Sequence, residues 1–261
     1  MSAPVLDGKV VVVSGVGPGL GRAIAAQCAK AGADLVLASR TESRLNEVAD
    51  DVKQHGGRVL VVPTDINDDA SAEALRDATI AEYGRVDALI NNAFAIPPLG
   101  DLLTVDFDQA RAGFETNVFA ALRLTRLFAA SLAERKGAVV MINSSVLRHS
   151  RQPYGAYKMT KASLLALAQS LASELGPSGV RVNSVAPGWI WADVLKAYFG
   201  YLAHKRGVDA QVVYDEIADT IDLRRLPVPD EIADAVVFMA SSMSRGITGH
   251  CLDVNCGEYH H

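Results

Sequence analysis

The sequence predicts one doubly wound α/β domain: a seven-stranded, mainly parallel sheet with helices on both faces. Three observations predict it. Strand-like and helix-like segments alternate from end to end and are joined by short loops. The strand-like runs are continuously apolar, as strands covered on both faces are. A glycine-rich turn follows the first strand and opens straight into a helix.

Taken in order, Lys9–Ser14 (KVVVVS) is the first buried strand, and Gly19–Gly32 is an Ala-rich helix ended by its last glycine. Asp34–Ser39 (DLVLAS) is the second strand, and the amphipathic helix Glu42–His55 stops at Gly56-Gly57. Arg58–Pro63 (RVLVVP) is the third strand, followed by a helix over Asp68–Tyr83 closed by Gly84. Val86–Asn91 (VDALIN) is the fourth strand, and Asp106–Arg135 reads as one long helical region. Ala138–Asn143 is the fifth strand, Tyr154–Leu175 a helix, and Val180–Ala186 the sixth strand. Pro229–Ser241 is helical, and Cys251–Val254 is a short last strand. No linker or fixed-period repeat divides residues 1–261, so the reading is a single domain.

Composition excludes several classes. The chain has 261 residues, 49% of them hydrophobic, and a formal charge of -5, without the basic excess of a nucleic-acid binder. No apolar run reaches the ~18–20 residues of a membrane span. Met1–Gly8 has neither a basic stretch nor an apolar one, so no secretory leader is expected there. The three cysteines, Cys28, Cys251 and Cys256, are few and odd in number, which favours a reducing cytoplasmic setting over a disulfide framework. The six histidines form no ligand cluster, no metal is expected, and His260-His261 reads as a frayed end.

The glycine turn runs Ser14-Gly15-Val16-Gly17-Pro18-Gly19-Leu20-Gly21. Glycines let backbones approach closely, and a helix N-terminus offers free N–H groups to a pyrophosphate. Strand, glycine turn and helix together therefore point to a dinucleotide. The alternative is a tight turn with no ligand. The second strand ends at Ser39-Arg40, where a chain selecting NAD carries an acidic residue for the ribose 2′-hydroxyl. Ser39 cannot accept in that way and Arg40 would attract a 2′-phosphate, so NADP(H) is preferred and NAD(H) comes second. Against this, Pro18 leaves Arg40 without a second basic residue in the turn, and Arg40 can also be read as a solvated loop charge.

Tyr154-Gly155-Ala156-Tyr157-Lys158-Met159-Thr160-Lys161 holds two Tyr/Lys pairs, each spaced one helical turn apart: Tyr154/Lys158 and Tyr157/Lys161. An ammonium so placed lowers a phenol's pKa toward working pH and makes it a general acid/base for an alcohol or carbonyl.

With these residues in view, the chain resembles the short-chain dehydrogenase/reductase family, single-domain type, over nearly its whole length. The motifs that carry the resemblance are Ser14–Gly21, Asp65 after the third strand, Asn91-Asn92-Ala93 after the fourth, and Asn117. They continue with Ser144 or Ser145 after the fifth strand, the Tyr-x-x-x-Lys pair, and Pro187-Gly188 after the sixth. The resemblance implies a Rossmann fold and an NAD(P)-dependent oxidoreductase. Tyr157 lies 13 residues after Ser144 and 30 before Pro187, the family's spacing, whereas Tyr154 lies 10 after and 33 before. The family pattern thus prefers Tyr157 with Lys161, and Ser144 over Ser145.

By resemblance, Tyr157 exchanges a proton with the substrate oxygen and Ser144 hydrogen-bonds that oxygen. Lys161 lowers the pKa of Tyr157 and bonds the nicotinamide ribose, and Asn117 holds a water on a proton path from Lys161. Ser14, Gly15, Gly17, Gly19, Leu20 and Gly21 would form the pyrophosphate turn, with Ser39 and Arg40 at the ribose. Asp65 and Ile66 would meet the adenine, Asn91, Asn92 and Ala93 would line the adenosine side, and Pro187, Gly188 and Ile190 would meet the carboxamide.

Three departures stand out: Phe94 where the family has glycine, Ala192 where it has a threonine, and Asn255-Cys256-Gly257 for Asp-Gly-Gly. Phe94 beside the cofactor would narrow the cleft or point into the substrate space; neutral drift is the alternative. The stretch at about 188–227 would lid the substrate. It carries Trp189, Trp191, Tyr198, Phe199, Tyr201 and Tyr214, which suit a bulky apolar substrate such as a terpenoid, steroid or aromatic carbonyl. Its Lys196, His204, Lys205, Arg206, Arg224 and Arg225 could bind a charged tail. Alternatively, the aromatics pack two lid helices onto the body or a neighbouring subunit. Phe94, Ser145, Tyr154, Trp189 and Trp191 are the candidate substrate contacts, and a small carbonyl or alcohol is the expected partner.

Wide apolar arcs, with Phe119, Leu122, Leu127 and Phe128 in one helix and Leu164, Leu165, Leu167 and Leu171 in the next, predict a homodimer or homotetramer. Two other functions compete. One is a 3-oxoacyl-[acyl-carrier-protein] reductase-like enzyme using Arg123, Arg126 and Arg135 to dock an acidic carrier. The other is a non-catalytic dinucleotide-sensing protein.

Overall fold

A computed structural model describes residues 4–260. Its centre is a seven-stranded sheet in the order β3-β2-β1-β4-β5-β6-β7. The strands are β1 (Val10–Ser14), β2 (Asp34–Ser39), β3 (Val59–Pro63), β4 (Ala88–Asn91), β5 (Ala138–Ile142), β6 (Arg181–Pro187) and β7 (Cys251–Val254). Every pairing is parallel, so the expected "mainly parallel" sheet is parallel throughout. The order turns back on itself between β1 and β4, where Ser14 pairs with Asn91. Chains that diverge from neighbouring strands open a crevice at the strands' C-terminal ends.

Side chains alternate across the sheet, so each strand feeds two cores. Val11, Val13, Leu35, Leu37 and Ile90 face one core. There they meet Ile24 and Cys28 of α1 (Leu20–Lys30), Leu45 and Val52 of α2 (Glu42–Lys53), and Ile232 and Val236 of α9 (Pro229–Ala240). Val10, Val12, Val36, Leu89, Val139 and Met141 face the other core. This side is covered by α3 (Asp69–Tyr83), α5 (Ala120–Arg135) and α6 (Gly155–Leu175), through Leu75, Leu124, Phe128, Leu132, Leu164 and Leu171. Phe128 is 0% exposed, and burying such a side chain contributes about 1.5–3 kcal/mol. Of the two apolar arcs, Phe128, Leu164 and Leu171 form the stripe that faces the sheet, while Phe119 stays 53% exposed.

The region expected as one helix over Asp106–Arg135 is divided. It forms α4 (Phe107–Phe114), one π-helical turn (Glu115–Phe119) and then α5. The π turn itself holds no Gly or Pro, and Gly113, two residues before it, is packed against Pro97. The widened turn delivers Asn117, whose amide is claimed by other elements, and π turns recur where a side chain must be re-aimed.

The lid makes a small core of its own from α7 (Asp193–Arg206) and α8 (Ala210–Ala218). Phe199, Val213, Ile221 and Leu226 are buried there, packed by Trp189, Trp191 and Tyr214. The last turn also corrects one expectation: His260 is no frayed end, since its Nε2 lies 2.8 Å from Asp222 Oδ2. His261 and Met1–Ala3 lie outside the described residues. Among the described residues, no helix is long and apolar enough to cross a membrane.

Candidate active site

The glycine turn is held by steric closeness. Gly15 has φ 88°, and a Cβ there would run into the backbone of Ala93 after β4. A Cβ on Gly21 would lie 2.5 Å from the Gly15 carbonyl oxygen. Asn92 Nδ2 donates to that same oxygen at 2.7 Å. The two motifs therefore lock together, and Asn92 acts on the turn itself. Beside Gly17 there is open space, and no side chain caps the start of α1. The hydroxyls of Ser14 and Ser39 are buried without a hydrogen-bond partner among the described residues. Open glycine backbone, an uncapped helix start and unclaimed hydroxyls fit a dinucleotide along this crevice.

The remaining expected cofactor residues fall around the same crevice. Arg40 is exposed at the end of β2 and makes no ion pair among the described residues. Asp65, at the end of β3, accepts from the Asn67 amide at 3.0 Å, and Ile66 offers its carbonyl to Arg123 at 3.0 Å. Asn91 turns its amide inward, to Thr125 Oγ1 at 3.5 Å and Met141 Sδ at 3.3 Å. Across the crevice, Gly188 donates to the Val254 carbonyl at 3.1 Å, and Ile190 packs against the core. A Cβ on Gly19 would come within 3.8 Å of Ala192 Cβ, so this loop faces the glycine turn.

At the catalytic end, Ser144 caps a short 3₁₀ turn, accepting from the Val146 amide at 3.2 Å, and it hydrogen-bonds the Tyr157 hydroxyl. Burial pushes Tyr157 up to about 12, against a partial pull downward from Ser144. Lys161 is 2% exposed and donates from Nζ to the Ile142 carbonyl at 2.8 Å. Its Nζ lies 5.7 Å from the centre of the Tyr157 ring. Burial drives the Lys161 ammonium down to about 7. Desolvation is the largest influence on both groups here, raising the phenol and lowering the ammonium.

Asn117 straps the loop after β4, exchanging two 2.8 Å hydrogen bonds with the backbone of Ala95. Its Nδ2 also donates to Thr160 Oγ1 at 2.9 Å, and Thr160 in turn donates to the Tyr157 carbonyl at 2.8 Å. The rival pair is used differently. Lys158 Nζ donates to the His149 carbonyl at 2.6 Å and to Ser150 Oγ at 3.0 Å. Tyr154 sets its ring edge-on to His149, with centroids 5.8 Å apart.

Ser145 turns toward the C-terminal segment, donating to Glu258 Oε2 at 3.4 Å. Phe94 is 57% exposed, with Lys161 Nζ 5.8 Å from its ring centre. Trp189 reaches Glu258, whereas Trp191 packs into the lid, 4.6 Å from Tyr214 and 5.6 Å from Phe199. Glu258 is absent from the sequence-based candidates. Its side chain is 3% exposed, and burial raises its pKa against the pull of Arg151. No motif marks it: it follows Cys256-Gly257, where the chain departs from the pattern of the family it resembles.

Comparison with known proteins agrees along the whole chain. A family model described as enoyl-(acyl carrier protein) reductase matches residues 15–259. The chain is 32% identical over 254 residues to the 7alpha-hydroxysteroid dehydrogenase of Escherichia coli (strain K12), covering 97% of this chain and 94% of the relative. A solved 7alpha-hydroxysteroid dehydrogenase complexed with NADH and 7-oxo glycochenodeoxycholic acid superposes with a TM-score of 0.87 at 30% identity, covering 97% and 94%. The L-sorbose reductase from Gluconobacter frateurii, complexed with NADPH and L-sorbose, superposes with a TM-score of 0.94 at 28% identity over 100% of both chains. Likeness that runs the full length in both sequence and fold leaves no part of the chain unaccounted for: it belongs to the short-chain dehydrogenase/reductase family, oxidoreductases acting on CH–OH groups.

Proposed function

We propose that this enzyme interconverts an alcohol and a ketone or aldehyde on a substrate with a bulky apolar body, prefers NADP(H), and uses Tyr157 as its general acid/base. The observation that carries the reading is Tyr157 itself: a buried hydroxyl bonded to Ser144, with Lys161 one helical turn along. The glycine turn and the loop from Pro187 to Ile190 would hold the dinucleotide, and Arg40 the 2′-phosphate. When bound, the nicotinamide supplies or takes up the hydride.

The chain's own groups handle the proton. In reduction, Tyr157 gives its phenolic proton to the substrate oxygen while Ser144 holds that oxygen in place. A phenol pushed up to about 12 stays protonated at neutral pH, which suits a donor. Charged Lys161 stabilises the phenolate left behind, and that charge is lost as the pH rises through about 7. Asn117 and Thr160 hold α6 against the loop after β4, so the hydroxyl is presented by a fixed element. Phe94 and Tyr154 line the substrate side. Trp191 stays in the lid core.

Of the three docking residues of the carrier-protein alternative, two are engaged within the chain: Arg123 by Asp69, Glu115 and the Ile66 carbonyl, and Arg135, 3.6 Å from Asp87, while Arg126 is exposed. The non-catalytic alternative is tested together with the mechanism. Tyr157→Phe should lower kcat for reduction by about 10³-fold while leaving the NADPH dissociation constant within about 2-fold. In the wild type, reduction should decline as the pH rises through about 7. Undiminished turnover by Tyr157→Phe would remove the proposed acid.

A further inference from the structure

Glu258 carries a buried carboxylate for which the proton chemistry above has no use. It lies against the turn after β6: a Cβ on Gly188 would come 2.9 Å from its Oε2. It accepts from Ser145 Oγ at 3.4 Å and from the side chains of Tyr259 and Trp189. Arg151 Nη1 stands 3.9 Å from Oε1, with its guanidinium 5.7 Å from the centre of the Tyr259 ring. A carboxylate has only acceptor sites, about four of them, and three side chains donate to this one, so about one remains. Ser145 has a single hydroxyl proton and directs it at Glu258. What Ser145 can still offer is also an acceptor. Two acceptors therefore adjoin Ser144, the residue that bonds Tyr157.

We propose that Ser145 and Glu258 form an acceptor subsite that reads a second hydroxyl on the substrate, within a few bonds of the reacting carbon. Ser145 follows Ser144 directly, and consecutive Cα atoms are about 3.8 Å apart, which sets that scale. The guanidinium of Arg151 disfavours a cationic donor here, so the subsite takes a neutral hydroxyl. The substrates it selects are hydroxyketones and the matching diols, with their apolar body toward Phe94 and Tyr154. The inference rests on the reading that Ser144 and Tyr157 hold the reacting oxygen.

The test uses a matched pair of probes, 2-hydroxyacetophenone and acetophenone, with the intact enzyme and NADPH. Two quantities are read: kcat/KM, and affinity from intrinsic tryptophan fluorescence, to which Trp189 beside Glu258 contributes. The hydroxylated probe should be favoured by at least about 10-fold, chiefly through KM, the range expected of a hydrogen bond to a charged acceptor. The ratio should collapse toward one in Glu258→Leu and in Ser145→Ala. Glu258→Gln, which keeps an acceptor oxygen, should restore part of it. A purely structural Glu258 would lower both probes alike and leave the ratio unchanged, which would overturn the subsite, as would a wild-type ratio near one. If neither probe turns over, the reaction proposed above falls, and the fluorescence ratio alone decides the subsite by the same criterion.

Discussion

The glycine turn and the lid face each other across one crevice, yet they are built in opposite ways. The turn is made of backbone against backbone: Gly15 against Ala93, Gly21 against the Gly15 carbonyl, with Asn92 as the clasp. The lid is made of large side chains, Phe199, Trp191 and Tyr214, in a small core separate from the two that cover the sheet. A site made of backbone can hold only one shape and suits a cofactor that never changes. A site made of side chains on a satellite core can be repacked without disturbing the sheet. On the proposed function, substrate choice would fall to the lid side of the crevice and cofactor capture to the turn.

Gly15→Ala should break the comparison most sharply. It adds a Cβ both at φ 88° and into the Ala93 backbone, so NADPH binding should be lost, with stability falling by more than about 2 kcal/mol. Gly17→Ala, with open space beside it, should stay within about 0.5 kcal/mol. Thermal melts and an NADPH titration of both variants measure this contrast. Phe199→Ala removes a ring that is 1% exposed, a change worth about 3 kcal/mol or more, but confined to the lid. Its expected signature is a raised KM for substrate with an unchanged NADPH dissociation constant. A matching loss of NADPH affinity would show that the two regions are one unit. A smaller loss than that of Phe199→Ala is expected for Arg40→Ala, which should weaken NADPH about 10-fold, or 1.4 kcal/mol, and leave NADH untouched. Equal effects on both would make Arg40 a loop charge.

Much of this was legible in the residues. The apolar runs locate every strand to within a residue or two, because a strand covered on both faces needs apolar residues at every position. The glycine turn is legible because only glycine tolerates such approach. The π turn at Glu115–Phe119 is not, since its sequence satisfies the same helical period as its neighbours and the break comes from what Asn117 bonds elsewhere. Tyr/Lys spacing places both pairs on α6 but cannot show that Lys158 is committed to the His149 carbonyl. The pKa directions at Tyr157 and Lys161 are not legible either, because burial depends on tertiary packing. Glu258 lies 113 residues from Ser145, and no local pattern marks such a pair.

The buried Lys161 has a consequence for where the molecule is most robust. In the unfolded chain its ammonium titrates near the ordinary value of 10.5, and in the folded chain near about 7. Below about 7 it is charged in both states and the folded state bears the full desolvation cost. Between these values the unfolded chain binds more protons, so this group's cost to folding shrinks as the pH rises, and above 10.5 it vanishes. On the proposed mechanism, the charge that would steady the Tyr157 phenolate is thus carried at the expense of the fold. Alkaline conditions relieve the fold and, on that mechanism, would disarm the proton donor's support, so resistance to unfolding and capacity for reduction would be set against each other by a single nitrogen.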